Sequence, residues 1–99
     1  MLAMIEVAVG KQSNGATFQL HPKTRQMLES RFPGWSSVPG SIFVYSNNPW
    51  DFERMQDPMW AHIVMLLTRL NEEQIQELGG FRFVSPADDS HVVYESHAA

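Results

Sequence analysis

Pro58-Met59-Trp60-Ala61-His62-Ile63-Val64-Met65-Leu66-Leu67-Thr68-Arg69-Leu70 is the stretch on which the reading of the fold turns. On a helical wheel, Met59, Trp60, Ile63, Val64, Met65, Leu66, Leu67 and Leu70 cover most of the circumference, and only His62, Thr68 and Arg69 interrupt them. A surface helix carries one apolar stripe, whereas a helix apolar nearly all round is buried. Segment 58–70 is therefore expected to be the central helix, covered on more than one side. Asp57 before Pro58, like Asn48 before Pro49, places a capping side chain ahead of a proline whose fixed φ suits the first helical turn. Asn71 followed by Glu72, Glu73 and Gln74 is a capping-box variant with acids at the positive helix end. Leu70 and Ile75 occupy the two places of a hydrophobic staple. The spacing predicts a short helix over 49–55, the buried helix over 58–70 and a short helix over 72–78, ended by Gly79-Gly80.

On the N-terminal side, Met4 to Val9 alternates, with Ile5, Val7 and Val9 on one side. That is the period of a half-buried strand. Lys11 to Gly15 reads as a loop longer than two residues, and Thr17 to Leu20 as the returning strand with Phe18 and Leu20 inward. A helix from Pro22 to about Phe32 should turn Met27, Leu28 and Phe32 inward, until Pro33-Gly34 stops it. Ser41 to Ser46 contains Ile-Phe-Val-Tyr, a short run bounded by turns that reads as a central strand. Phe81–Val84, a polar turn at Pro86–Ser90 and His91–Glu95 complete the order ββαβαααββ. The expected architecture is a single α+β domain spanning 1–99. A mostly antiparallel sheet of about five strands carries the helices on one face.

Composition narrows the function classes. Ninety-nine residues suffice for one domain with its own core, and there is no Cys for disulfides or thiolate chemistry. The apolar start is broken by Glu6 and lacks a basic flank, so no signal peptide is expected, and no run approaches the roughly 20 apolar residues of a membrane span. A cytoplasmic location is the expectation. The net charge is −4, with +2 in residues 1–50 and −6 in residues 51–99, where nine carboxylates face three arginines. An acidic balance argues against nucleic-acid binding, which rests on neutralising phosphates. It favours a partner with a basic patch through electrostatic steering.

No P-loop, dinucleotide fingerprint, zinc spacing or nucleophile elbow is present, so no catalytic residue, cofactor or metal ligand is assigned. Two weaker constellations define the alternative, a small enzyme or a metal- or ligand-binding protein. His62 is the only ionisable group in the first two turns after Pro58, with Asp57 or Glu53 to orient it; its simpler reading is a wet stripe continued by Arg69. His91, Glu95 and His97 share one face of an alternating strand, and a metal there would borrow a ligand from His21 or Asp89. Asp88-Asp89 belong to turn geometry.

The favoured expectation is a protein-binding module that occludes or bridges a partner through an acidic and aromatic surface. Its contact residues would be Trp50, Glu53, Glu73 and Glu77, with Trp35 in the Pro/Gly loop. Tryptophan supplies the buried anchor of an interface and the carboxylates supply on-rate. Phage or mobile-element inhibitors, anti-defence proteins included, are one class of small acidic domain of this kind. Self-association through an exposed edge strand is a third expectation.

Overall fold

The computed structural model describes residues 4–47, 49–85 and 88–96, the side chains of 49, 50 and 88–90 excepted. Its strands are β1 (Ile5–Gln12), β2 (Gly15–Leu20), β3 (Ser41–Tyr45), β4 (Phe81–Ser85) and β5 (Asp88–Glu95). Its helices are α1 (Pro22–Arg31), α2 (Asp57–Thr68) and α3 (Glu72–Glu77), with a 3₁₀ turn at Pro49–Arg54. The five strands form one sheet in the order β3-β2-β1-β4-β5. Three of the four pairings are antiparallel, and the one that joins the central strand β1 to β4 is parallel. The α+β class and the element order are those expected from the sequence.

Alternation in β1 and β2 sends Ile5, Val7, Val9, Ala16, Phe18 and Leu20 to one face, all of them buried. Phe81 and Phe83 of β4 join them, and the helices lie over this face. Trp60 of α2 stands at the centre. Its ring meets Phe83 edge-on at 4.4 Å, Phe18 edge-on at 6.1 Å and Tyr94 in a stack at 4.9 Å. Such pairs add to area burial, because the ring edge is electropositive and the face electronegative. The indole N–H of Trp60 donates to the Met55 carbonyl at 3.0 Å, so the polar tip is satisfied.

Several local expectations are corrected. The first hairpin closes through a two-residue turn, since Gln12 pairs with Gly15 and the strands run almost to the turn itself. β3 is an edge strand, not a central one. A continuous apolar run fits a strand buried on both faces, but it also fits an edge strand with one face left open. Asp57 is not the cap of α2: Gln56 holds that position without a side-chain bond, and Asp57 lies in the first turn. The helix stops at Thr68 because Arg69 adopts the left-handed conformation (φ 61°), and the buried Thr68 hydroxyl then accepts from Leu70 N–H at 3.2 Å. Asp88 and Asp89 belong to β5 rather than to a turn. The cap at Asn48 and the turn at Pro86 lie outside the described residues.

Other signals appear as read. Asn71 Oδ1 accepts from Gln74 N–H at 2.8 Å while Gln74 Oε1 accepts from Asn71 N–H at 3.0 Å, a complete capping box. Leu70 and Ile75 are both buried in the core. Gly79 and Gly80 take φ values of 89° and 90°, which end α3 and turn the chain into β4.

Candidate functional site

The helices cover only part of what the sequence makes apolar. The sheet buries Trp60, Ile63, Val64 and Leu67 of α2, and Ala61 faces α3 across a shallow hollow. The remaining flank of α2 presents Met59, His62 and Leu66, positions that share one helical face. Met59 is 51% exposed and Leu66 45%. Between this flank and β3 runs a groove of 440 Å³ lined by Ile42, Val44, Pro58, Met59, His62, Ile63 and Leu66. Its lining holds no Asp, Glu, Lys or Arg. A second hollow continues it past Val44 and Met59 to Asp51 and Arg54. The Asp51 carboxylate accepts there from the Ser46 hydroxyl at 2.8 Å.

The groove ends on the free edge of the sheet. Ser46 N–H donates to the Asn14 carbonyl at 2.9 Å, and Val44 and Ile42 lie opposite Ala16 and Phe18. In an antiparallel pair the bonding residues alternate. The even-numbered residues of β3 therefore bond to β2, and the N–H and C=O groups of Ser41, Phe43 and Tyr45 point away from the sheet. The side chains of Phe43 and Tyr45, 47% and 64% exposed, stand on the face opposite the helices. The Phe43 ring leans over Gly15, where an added Cβ would come within 2.6 Å of it. Glycine at position 15 thus lets an edge aromatic lie flat on the sheet. No charged residue and no proline interrupts 41–46, so neither of these two devices against edge pairing guards it.

The residues expected to make contacts are dispersed. Glu53 pairs with Lys11 of β1 at 3.4 Å, both half exposed. Glu73 lines the separate hollow with Ala61, Ile75 and Phe81, and Glu77 is exposed on α3. Trp35 is half-buried against the core, and its indole N–H donates to the Thr68 carbonyl at 2.7 Å, which fastens the α1–β3 loop to the end of α2. The Trp50 side chain lies outside the described residues.

His62 is exposed, and its neighbours in the groove are Pro58, Met59 and Leu66, none of which orients an imidazole. The acids proposed to do so are engaged elsewhere, Glu53 with Lys11 and Asp57 with the Tyr94 hydroxyl. Burial, assisted by that Asp57 carboxylate, pushes the Tyr94 phenol up to about 12. On β5, register shifts on either side of Val84 break the alternation that would place His91 and Glu95 on one face. Glu95 stands opposite Arg82, while His91 lines a hollow with Val9, Lys11 and Val93. His97 lies outside the described residues. Among the described residues, no three His, Asp or Glu side chains gather as a metal site.

The sequence reads Ile42, Phe43, Val44 and Tyr45 as a central strand and Leu66 as part of a buried helix, and it leaves Met59 open between that helix's core and adaptable apolar surface for a partner. The signal was there as a surplus. A helix apolar nearly all round and a strand apolar on both faces need more covering layers than the chain supplies.

Among the described residues, no helix is long and apolar enough to cross a membrane. Compared with models of known protein families, with curated proteins and with solved structures, the chain shows no match.

Proposed function

We propose that this chain is a protein-interaction module that receives an extended segment of a polypeptide along β3 and over the groove beside α2. One observation carries the reading. An uncharged apolar surface runs from Met59 and Leu66, across Ile42 and Val44, to a strand edge whose outward backbone groups at Ser41, Phe43 and Tyr45 have no partner among the described residues. Contiguous exposed apolar surface of this kind marks an interaction site. Strand addition supplies affinity through main-chain hydrogen bonds and specificity through pockets for alternate side chains. The groove is such a pocket row on the helix side of the edge.

The test is Met59→Asp combined with Leu66→Asp. Both positions are about half exposed, so the fold should survive with little loss of stability. Each places a carboxylate in the apolar lining. Capture of the partner polypeptide, quantified by mass spectrometry after cross-linking in the native host, should fall at least tenfold relative to wild type. Capture unchanged by the double substitution would move the contact surface away from this groove.

A further inference from the structure

We infer that the polypeptide received on this face is a second copy of the same chain, with β3 paired antiparallel to β3 across a two-fold axis. The inference rests on the reading of this face as the contact surface and adds the identity of its occupant.

The outward backbone groups belong to Ser41, Phe43 and Tyr45, a set symmetric about Phe43. Two copies can therefore meet with Phe43 opposite Phe43 and Ser41 opposite Tyr45. Every outward N–H and C=O in the strand then gains a partner, and the two sheets join into one of ten strands. A two-fold contact uses the same patch on both copies, so the patch has to be complementary to itself.

The side chains meet that requirement. An added strand turns one face to the groove lining and the other to Phe43 and Tyr45, so it has to be apolar on both. Ile42-Phe43-Val44-Tyr45 is such a strand. The chain's net charge of −4 opposes self-association at long range, but 41–46 carries no charge, so the seam sets no like charges opposite each other.

The available area comes up to the lower limit of a specific interface. Phe43, Tyr45, Met59 and Leu66 are 47%, 64%, 51% and 45% exposed. At about 200 Å² for a large side chain, they leave about 400 Å² of surface in water on each copy. With the strand backbone and the half-buried Ile42 and Val44, complete coverage of this surface on both copies would reach the roughly 1,000 Å² at which specific interfaces begin. An interface at that lower limit is reversible, and its occupancy depends on concentration.

Sedimentation equilibrium on the full chain, from micromolar to millimolar concentration, reads the mass directly. The wild type should pass from 11.3 kDa to twice that mass. Phe43→Lys puts two like charges opposite each other on the axis and should hold the chain at the single mass. Mixing Phe43→Lys with Phe43→Glu should restore the doubled mass, which a merely unfolded variant cannot do. In the wild type, amide exchange at Phe43 and Tyr45 should slow as concentration rises, while Ile42 and Val44 stay protected throughout.

A wild type of single mass across the range, or exchange at Phe43 and Tyr45 independent of concentration, overturns the second copy. So does a dimer that survives Phe43→Lys. The broader reading of the face fails separately, when Met59→Asp with Leu66→Asp leaves capture of every partner intact.

Discussion

Tyr94 shows how a residue's role escapes its local sequence. It stacks on Trp60 at 4.9 Å with the planes 12° apart, and its hydroxyl donates to the Asp57 carboxylate 37 positions away. Asp57 precedes a proline, and that pattern is indistinguishable from a helix cap. The carboxylate is instead taken by a strand at the other end of the chain. Burial first, and then Asp57, push the phenol up to about 12, from about 10 for a free tyrosine. The folded state thus favours the neutral phenol. Its contribution to stability is fully present below about pH 10 and is lost as the pH rises from about 10 to about 12. Ultraviolet titration of the folded protein should show a phenolate component with a midpoint near 12. Tyr94→Phe should remove that component, and Asp57→Asn should move it toward 10. A late component that persists in Tyr94→Phe would place the raised phenol elsewhere.

At the scale of elements, α2 carries the core. Leu67 is fully buried on its sheet-facing side. Leu67→Ala loses that burial and leaves a cavity, and should cost about 2–5 kcal/mol. For a domain whose total stability is about 5–15 kcal/mol, the denaturant midpoint should fall sharply with an unchanged slope. An unchanged midpoint would mean that α2 is not central. The helix was legible because thirteen consecutive residues carry more apolar surface than a solvent-facing helix would, and β1 and β2 were legible because their alternation is strict. β3 was not, since four apolar residues in a row look the same at the centre of a sheet as at an edge whose outer face awaits a partner. The site was hidden for the same reason. Met59 and Leu66 are chemically ordinary core residues, and only the placement of the other helices leaves them uncovered. The bulged register of β5 was equally out of reach, because extra residues in one strand of a pair leave no mark on apolar alternation.

For the molecule as a whole, the decisive pairing joins the two ends of the sequence. β1 lies parallel to β4, with Ile5 opposite Phe81 and Ala8 opposite Val84. Open-face charges are tied across the same pair, where Arg82 meets Glu6 at 3.2 Å. A chain ended after Leu70 keeps β1, β2, β3 and α2 but lacks the strand that completes one side of β1 and the Phe83 and Tyr94 rings that pack on Trp60. It should bind a hydrophobic dye and unfold without a cooperative transition, as loosely packed states do. A sharp transition in that fragment would show that β4 and β5 are additions to a self-sufficient core. The parallel pairing also sets a schedule for the living cell. A ribosome adds about 5–20 residues per second, so about 3–12 s separate completion of β2 from arrival of the first residue of β4. Throughout that interval the inner strand β1 is unfinished, and once Thr68 has been added the nascent chain also holds its most apolar helix with nothing to close it. The most hazardous moment in its synthesis falls between completion of α2 at Thr68 and arrival of β4 at Phe81.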